Sequence, residues 1–399
     1  MPYTIRGILP FLGLSVFSSN LGNGIIAPLL PLYAEKLGAS GIWLGIIFSG
    51  VSISSAICMP FAGRLSDHVG RKLILSIGLF IFTVTSFAYI WANSIASLMA
   101  VRFIQGAAAA MVMPISQAYI GDIAPEGQEG KWLGVFNSTF IAGFGFGPLM
   151  GGVLSDYFGM NAAFYCMGLL NLIAFLGITL ILPEVARHRA TTAKLSIRAI
   201  TASGITRGIF SYQTGIAAQR GIMMAFLPIF VSIFIGLTPS LIGTVLTVAI
   251  VLNSLMQVPA GQLADKYNRR LLVILGCMGG VVSMILIPQA RSFSLLLAFM
   301  ILGSVFDSLA TPSAMAMIVQ EGRKYGMGTA TSISNMGMGF GMGLAPILAG
   351  FAVDLSNVRV AFYISAAATF IGMLFFSRFT RQIFDSESGV GIMRCDENN

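Results

Sequence analysis

Twelve stretches of about twenty residues, each nearly free of charge, constrain this chain more than any other feature. They cover 8–33, 42–62, 73–92, 95–120, 132–154, 162–182, 208–235, 240–262, 271–289, 293–319, 327–352 and 360–378. A helix rises ~1.5 Å per residue, so about twenty residues cross a hydrocarbon core of roughly 30 Å. Backbone N–H and C=O groups find no partner in lipid, so each stretch is predicted to be a helix that satisfies them internally. Composition agrees, with 56% of residues hydrophobic and 10% charged, against roughly 25% charged in a soluble domain. A water-soluble globule is excluded, and the chain is expected to be an all-α protein embedded in a lipid bilayer.

The formal charge of +8 does not point to nucleic acid, because the basic residues fall in short clusters between apolar runs and form no stripe. Their distribution instead sets topology. Of the 23 Lys and Arg residues, 18 lie in the tails or in loops on the side of the termini, and only Lys36, Arg291 and Arg359 lie in the opposite loops. Short cytoplasmic loops retain basic residues, so both termini are expected to be cytoplasmic. The apolar run after Arg6 is too long for the core of a cleaved signal peptide, and it is expected to remain as the first span. Cys58, Cys166, Cys277 and Cys395 have no metal-ligand spacing. No disulfide, metal or cofactor is expected.

The longest internal connection, 183–207, separates six spans from six. Sliding the second half over the first by 198 residues brings unusual residues into one register. Gly63 and Asp67 fall on Gly261 and Asp265, Pro114 on Pro312, and Asn137 on Asn335. Pro148 and Asp156 fall on Pro346 and Asp354, and Ala163-Phe164-Tyr165 falls on Ala361-Phe362-Tyr363. The chain therefore reads as a duplicated six-helix unit: an N-terminal bundle (1–182), a cytoplasmic linker (183–207), a C-terminal bundle (208–380) and a disordered tail (381–399). Parallel repeats of this kind place a binding site at their interface, near the midplane, and rock around it.

Three motifs refine this reading. Residues 63–72, Gly-Arg-Leu-Ser-Asp-His-Val-Gly-Arg-Lys, are echoed at 261–270 as Gly-Gln-Leu-Ala-Asp-Lys-Tyr-Asn-Arg-Arg. Arg102, Gln105 and Gly106 form R-x-x-Q-G, and residues 143–152 read Gly-Phe-Gly-Phe-Gly-Pro-Leu-Met-Gly-Gly. Gly143, Gly147 and Gly151 recur every four residues on one helix face, where small residues let a partner approach, while Pro148 bends the helix. Together these strings resemble the major facilitator superfamily, and most of all its twelve-span drug:proton antiporter branch. The likeness covers about residues 8–380 and implies the major facilitator fold, with twelve transmembrane helices in two pseudo-symmetric six-helix bundles.

The resemblance also implies roles. The paired loops, through Gly63, Asp67, Gly70 and Arg71 and through Gly261, Asp265 and Arg269, correspond to a latch between the halves that favours an outward-open state. Gly63 is expected to let two helices approach closely, and Asp67 to accept from N–H groups at a helix end. The second copy departs from the pattern at Asn268, where glycine is usual. Arg102 corresponds to a residue of proton coupling, and the second half has Met300 in its register. Gly143, Gly147, Pro148, Gly151 and Gly152 match the element associated with antiporters. The loop after the fourth span departs again, with Glu129 where relatives have arginine.

A charge inside a span is a functional candidate by default. Besides Arg102, placed near the centre of its helix, the spans hold Arg220 and Asp307. Burial raises a carboxyl pKa, so Asp307 is the expected proton carrier, with a structural partner for Arg220 or Arg102, or a place facing water near the helix end, as the alternatives. Asn20, Asn23, Gln117, Asn137, Gln213, Gln219, Arg220, Gln257 and Asn335 are the candidate cavity residues, because polar side chains avoid lipid. The first span has no acid, which weighs against cationic substrates, while Arg220 favours anionic or zwitterionic ones. The 30 Phe and 22 Met residues suit a soft, adaptable cavity.

No G-x-x-x-x-G-K-(S/T) or H-E-x-x-H string occurs, and His68 and His188 both fall in loops, so an enzyme is not expected. The expected function is proton-coupled efflux of amphipathic small molecules by alternating access, performed by a monomer in a prokaryotic plasma membrane. A transporter of one metabolite such as a sugar or organic acid, a lipid flippase, and a non-transporting sensor on the same fold are the alternatives.

Overall fold

The computed structural model describes residues 5–124, 129–184, 203–325 and 327–393. Twelve long helices account for nearly all of them. They are α1 (Ile5–Lys36), α2 (Gly41–Val69), α3 (Arg71–Ala88), α4 (Ile95–Ile123), α5 (Glu129–Phe158), α6 (Met160–Ile181), α7 (Gly204–Phe234), α8 (Pro239–Lys266), α9 (Arg269–Leu286), α10 (Phe293–Tyr325), α11 (Met327–Leu355) and α12 (Arg359–Met393). Eleven are long and apolar enough to cross a membrane, and α1 has 32 residues. Among the described residues there is no strand. Apolar side chains such as Phe80, Leu169, Leu180, Leu271 and Leu374 point outward and exposed, as expected where the surrounding solvent is lipid.

Every predicted span is a helix, although several helices outrun the apolar stretch. The last helix continues to Met393, past the point where the polar composition predicts disorder, because no proline interrupts 361–393. Within the linker expected at 183–207, residues 185–202 lie outside the described ones, as do 125–128 of the unusual loop after α4.

Each half is a bundle of six, with α1 packed on α5 and α6, and α7 on α11 and α12. The α1–α5 contact is made by backbone. A β-carbon on Gly147 would lie 2.5 Å from Gly24 Cα, one on Gly143 would lie 2.5 Å from the Phe17 carbonyl oxygen, and one on Gly151 would collide with the Ile25 carbonyl. Phe164 and Phe362, partners under the 198-residue offset, are both fully buried.

The halves meet along two seams, α2 with α11 and α5 with α8. Both seams occupy the end of the molecule far from the termini. On one, a β-carbon on Gly45 would collide with the Pro346 carbonyl. On the other, one on Gly243 would collide with the Pro148 carbonyl, and one on Gly152 with that of Pro239. Carboxylates cap both seams. Asp354 accepts from the Gly41 and Ile42 N–H groups and from Ser40 Oγ, at 2.5, 3.0 and 3.0 Å. Asp156 accepts from the Ser240 N–H at 2.9 Å. An anion at a helix N-terminus meets unpaired N–H groups and the positive end of the helix dipole.

Candidate functional site: a cavity between the halves

At the other end the halves do not touch through their signature loops. Gly63 and Gly261 have open space within 4 Å of where a β-carbon would stand, so the close approach expected at Gly63 is not made. The Asp67 side chain is 59% exposed and pairs with Arg71 at 3.2 Å, inside its own half. Arg71 also bonds Asp122 on α4. The helix end that Asp67 is expected to cap is therefore not its partner in this state. In the second copy Asp265 stands 3.8 Å from Arg269, whose Nε donates to the Ala264 carbonyl at 3.2 Å.

The structure also explains the departure at Asn268. Gly70 has φ +108°, a conformation that side chains rarely adopt, and the Glu184 carboxylate occupies the place where its β-carbon would go. Asn268 instead has φ −62° and caps α9, accepting from the Arg270 and Leu271 N–H groups. The same loop is thus closed by a glycine turn in one half and by a side-chain cap in the other.

Closed at the far end and, among the described residues, not tied through the signature loops at the near one, the interface holds a cavity of about 320 Å³. Asn20, Asn23, Phe48, Arg102, Gln105, Phe140 and Phe144 line it from the first half, and Met224 and Met342 from the second. Gln117 stands one turn beyond Met113 on the cavity face of α4, Asn137 stands one turn before Phe140 on α5, and Asn335 stands two turns before Met342 on α11. All three are exposed and stand beyond the lining residues, toward the end that bears the termini.

Arg102 is not central in its helix. It is the eighth residue of α4, about 10 Å along the axis from the far end, and so it stands at the closed floor. Its side chain is buried, with Nη1 donating to Gln105 Oε1 at 3.0 Å. The guanidinium lies 5.3 Å from the Phe48 ring centre and 5.9 Å from that of Tyr89, within cation–π range. Tyr89 also donates to Gln105 Oε1, at 2.7 Å. Arg102 Nε and Gln105 Nε2 are buried without an acceptor. Among the described residues no carboxylate lies within 4.0 Å of Arg102.

The second half carries a paired charge. Arg220 Nη2 meets Asp307 Oδ2 at 3.0 Å, with the side chains 45% and 17% exposed. Met224, one turn along α7 from Arg220, lines the cavity, whereas Arg220 and Asp307 stand outside its lining. Asn253 on α8 donates to the same Asp307 oxygen at 3.2 Å and accepts from Gln257 at 3.1 Å. Asp307 Oδ1 is buried without a partner.

Two expected cavity residues are engaged elsewhere. Gln213 donates to Ser334 on α11 at 3.0 Å, and Gln219 accepts from Thr369 on α12 at 3.0 Å, so both hold helices of one half together. Conversely, sequence reasoning passed over Asn253, whose place one turn before Gln257 signals a shared polar face. It also passed over Glu321, which falls just beyond the predicted tenth span. Glu321 is buried and accepts from Thr206 at 3.3 Å.

Comparison with known proteins accords with this geometry. The sequence profile described as Major Facilitator Superfamily matches residues 12–234 and 209–388. An uncharacterized MFS-type transporter of Methanocaldococcus jannaschii is 27% identical over 388 residues, covering 92% of this chain and 97% of that protein. The quinolone resistance protein NorA of Staphylococcus aureus is 26% identical over 368 residues, covering 90% and 93%. Among solved structures, a bacterial homolog of the human lysosomal transporter Spinster, described as inward-facing and occupied, superposes with a TM-score of 0.82 at 14% identity, covering 96% of this chain and 97% of that one. With the family profile spanning both bundles, the chain belongs to the major facilitator superfamily of membrane transporters.

Proposed function

We propose that the protein is a proton-driven exporter of amphipathic small molecules in the plasma membrane of a prokaryote, with both termini cytoplasmic. The observation that carries this reading is the placement of Arg102 on a cavity, with the Arg220–Asp307 pair one helical turn from its lining, between two bundles whose seams among the described residues lie at one end. Under the proposed topology that joined end is extracytoplasmic, so this conformation is the inward-facing one, ready to load from the cytoplasm. The likeness to a quinolone resistance protein and the string at 143–152 support export.

Asp307 is the proton carrier in this scheme. Ionised, it balances Arg220 at 3.0 Å and both charges share one site. A proton reaching the carboxylate removes that balance and leaves Arg220 charged in a span, where an unpaired charge is costly. The halves then rearrange to a state in which Arg220 is hydrated or paired anew. Opening the far end parts the seams capped by Asp156 and Asp354, and joins the near end through the loops at Asp67 and Asp265. One proton entering down a potential of 100 mV releases about 2.3 kcal/mol, enough to concentrate a neutral solute about fiftyfold.

The test is a substrate screen in inverted vesicles with and without an imposed pH gradient. An interior-acid gradient is expected to drive uptake of amphipathic compounds, and its collapse to stop it. Accumulation that ignores the gradient would refute proton coupling, and a single accepted metabolite would refute broad efflux.

A further inference from the structure

Arg102, which lines the cavity, and Arg220, one helical turn from the lining residue Met224, differ in one respect that bears on the cargo. The charge of Arg220 is balanced by Asp307. That of Arg102 is balanced by no described carboxylate, although its side chain is 7% exposed. Aromatic faces at 5.3 and 5.9 Å and one neutral amide oxygen offset only part of the cost of burying a cation. Its one hydrogen bond to a described residue leaves through Nη1, so among the described residues the Nε–Nη2 edge has no acceptor, and Nε is buried without one. That edge is a planar pair of donors that matches the two oxygens of a carboxylate. Beside it Gln105 Nε2, on a residue 1% exposed, also lacks an acceptor.

From this geometry we infer that the cavity floor is an anion subsite, and that the cargo includes aromatic or otherwise apolar carboxylates whose carboxylate pairs with Arg102 and Gln105. The apolar body would lie along Phe48, Phe140, Phe144, Met224 and Met342, which line the same cavity. A volume of about 320 Å³ suits a small bicyclic molecule. The inference rests on the cavity being the transport site, and it names the charge class of what that site takes.

Three probes of one shape decide it: 2-naphthoate, 2-naphthamide and 2-naphthylmethylammonium. Their binding to the purified protein in nanodiscs is measured by displacement of tritiated 2-naphthoate. The carboxylate is expected to bind at least tenfold more tightly than either analogue. Arg102→Gln should bring all three within about threefold of each other, and Arg102→Lys, which keeps the charge but loses the fork, should retain part of the preference. Should Arg102→Gln not fold, the wild-type ranking and Arg102→Lys still test the anion subsite. Equal affinities in the wild type, a preference for the ammonium, or a carboxylate preference that survives Arg102→Gln would overturn the proposal. Proton-driven uptake of the same probes keeps the two readings apart. Intact uptake without carboxylate preference sinks only the anion subsite, whereas carboxylate preference without any effect of the gradient sinks only the proton-driven exporter.

Discussion

At the far end of the molecule the two halves are nearly superimposable in chemistry, while at the level of the cavity they are not. Gly45 and Gly243, Pro346 and Pro148, Gly350 and Gly152, and Asp354 and Asp156 are partners under one offset of 198 residues, and each set builds the same kind of seam. Across the cavity the same offset sets Arg102 against Met300, Ala109 against Asp307, and Gly22 against Arg220. A seam that must close twice around a pseudo-twofold axis tolerates no bulk in either copy. At the level of the cavity the halves are unlike: the second holds the Arg220–Asp307 pair, and the first holds Arg102 with no described carboxylate within 4.0 Å.

The largest expected effect attacks the shared part. Gly45→Val or Gly243→Val forces a β-carbon against a backbone carbonyl, and overpacking of this kind costs about 1–3 kcal/mol. Each variant should raise the far-end-open population by roughly five- to a hundredfold, and the double variant by more. Spin labels on the far ends of α2 and α11 would read the change as a longer distance in pulsed dipolar spectra. Equal closure in variant and wild type would show that the seams do not set the conformation.

A smaller difference should separate the two caps. Asp354→Asn removes a carboxylate that serves three donors and Asp156→Asn one that serves a single described donor, so the first should loosen its seam more. Both groups are exposed, so solvent screening holds the effect to about 0.3–1 kcal/mol. The same distance measurement ranks them, and a larger response from Asp156→Asn would contradict the account.

An effect between these two concerns the near-end loops, where the halves solve one turn in two ways. Gly70→Ala should lower stability by about 1–2 kcal/mol because of its positive φ, whereas Asn268→Gly should cost only a few tenths. Thermal melting of the detergent-solubilised variants gives the order. The reverse order would mean that the Gly70 turn is relaxed and that Asn268 carries the loop.

Helix number and the duplication were legible in the sequence because lipid allows few alternatives and because Pro148, Asp156 and their partners keep one register. The candidate site was legible in residue type but less so in position. Asn20 and Asn23, expected at the cavity, line it, and so does Arg102, expected in proton coupling. Gln213 and Gln219 do not, since a polar side chain in a span avoids lipid equally well by bonding Ser334 or Thr369 on a neighbouring helix. The choice of partner was beyond reach, because nothing in the order of residues says that Asp307 meets Arg220 rather than Arg102. The separation of Asp67 from the other half is a property of one conformation, and a sequence serves every conformation of the cycle.

The most direct test of the central claim, that the second half carries the proton, is substrate-induced proton movement in proteoliposomes loaded with a pH dye. Wild type should move protons opposite to the substrate, and Asp307→Asn should reduce that movement more than tenfold while leaving substrate binding measurable. Proton movement that is unchanged in Asp307→Asn would contradict the account.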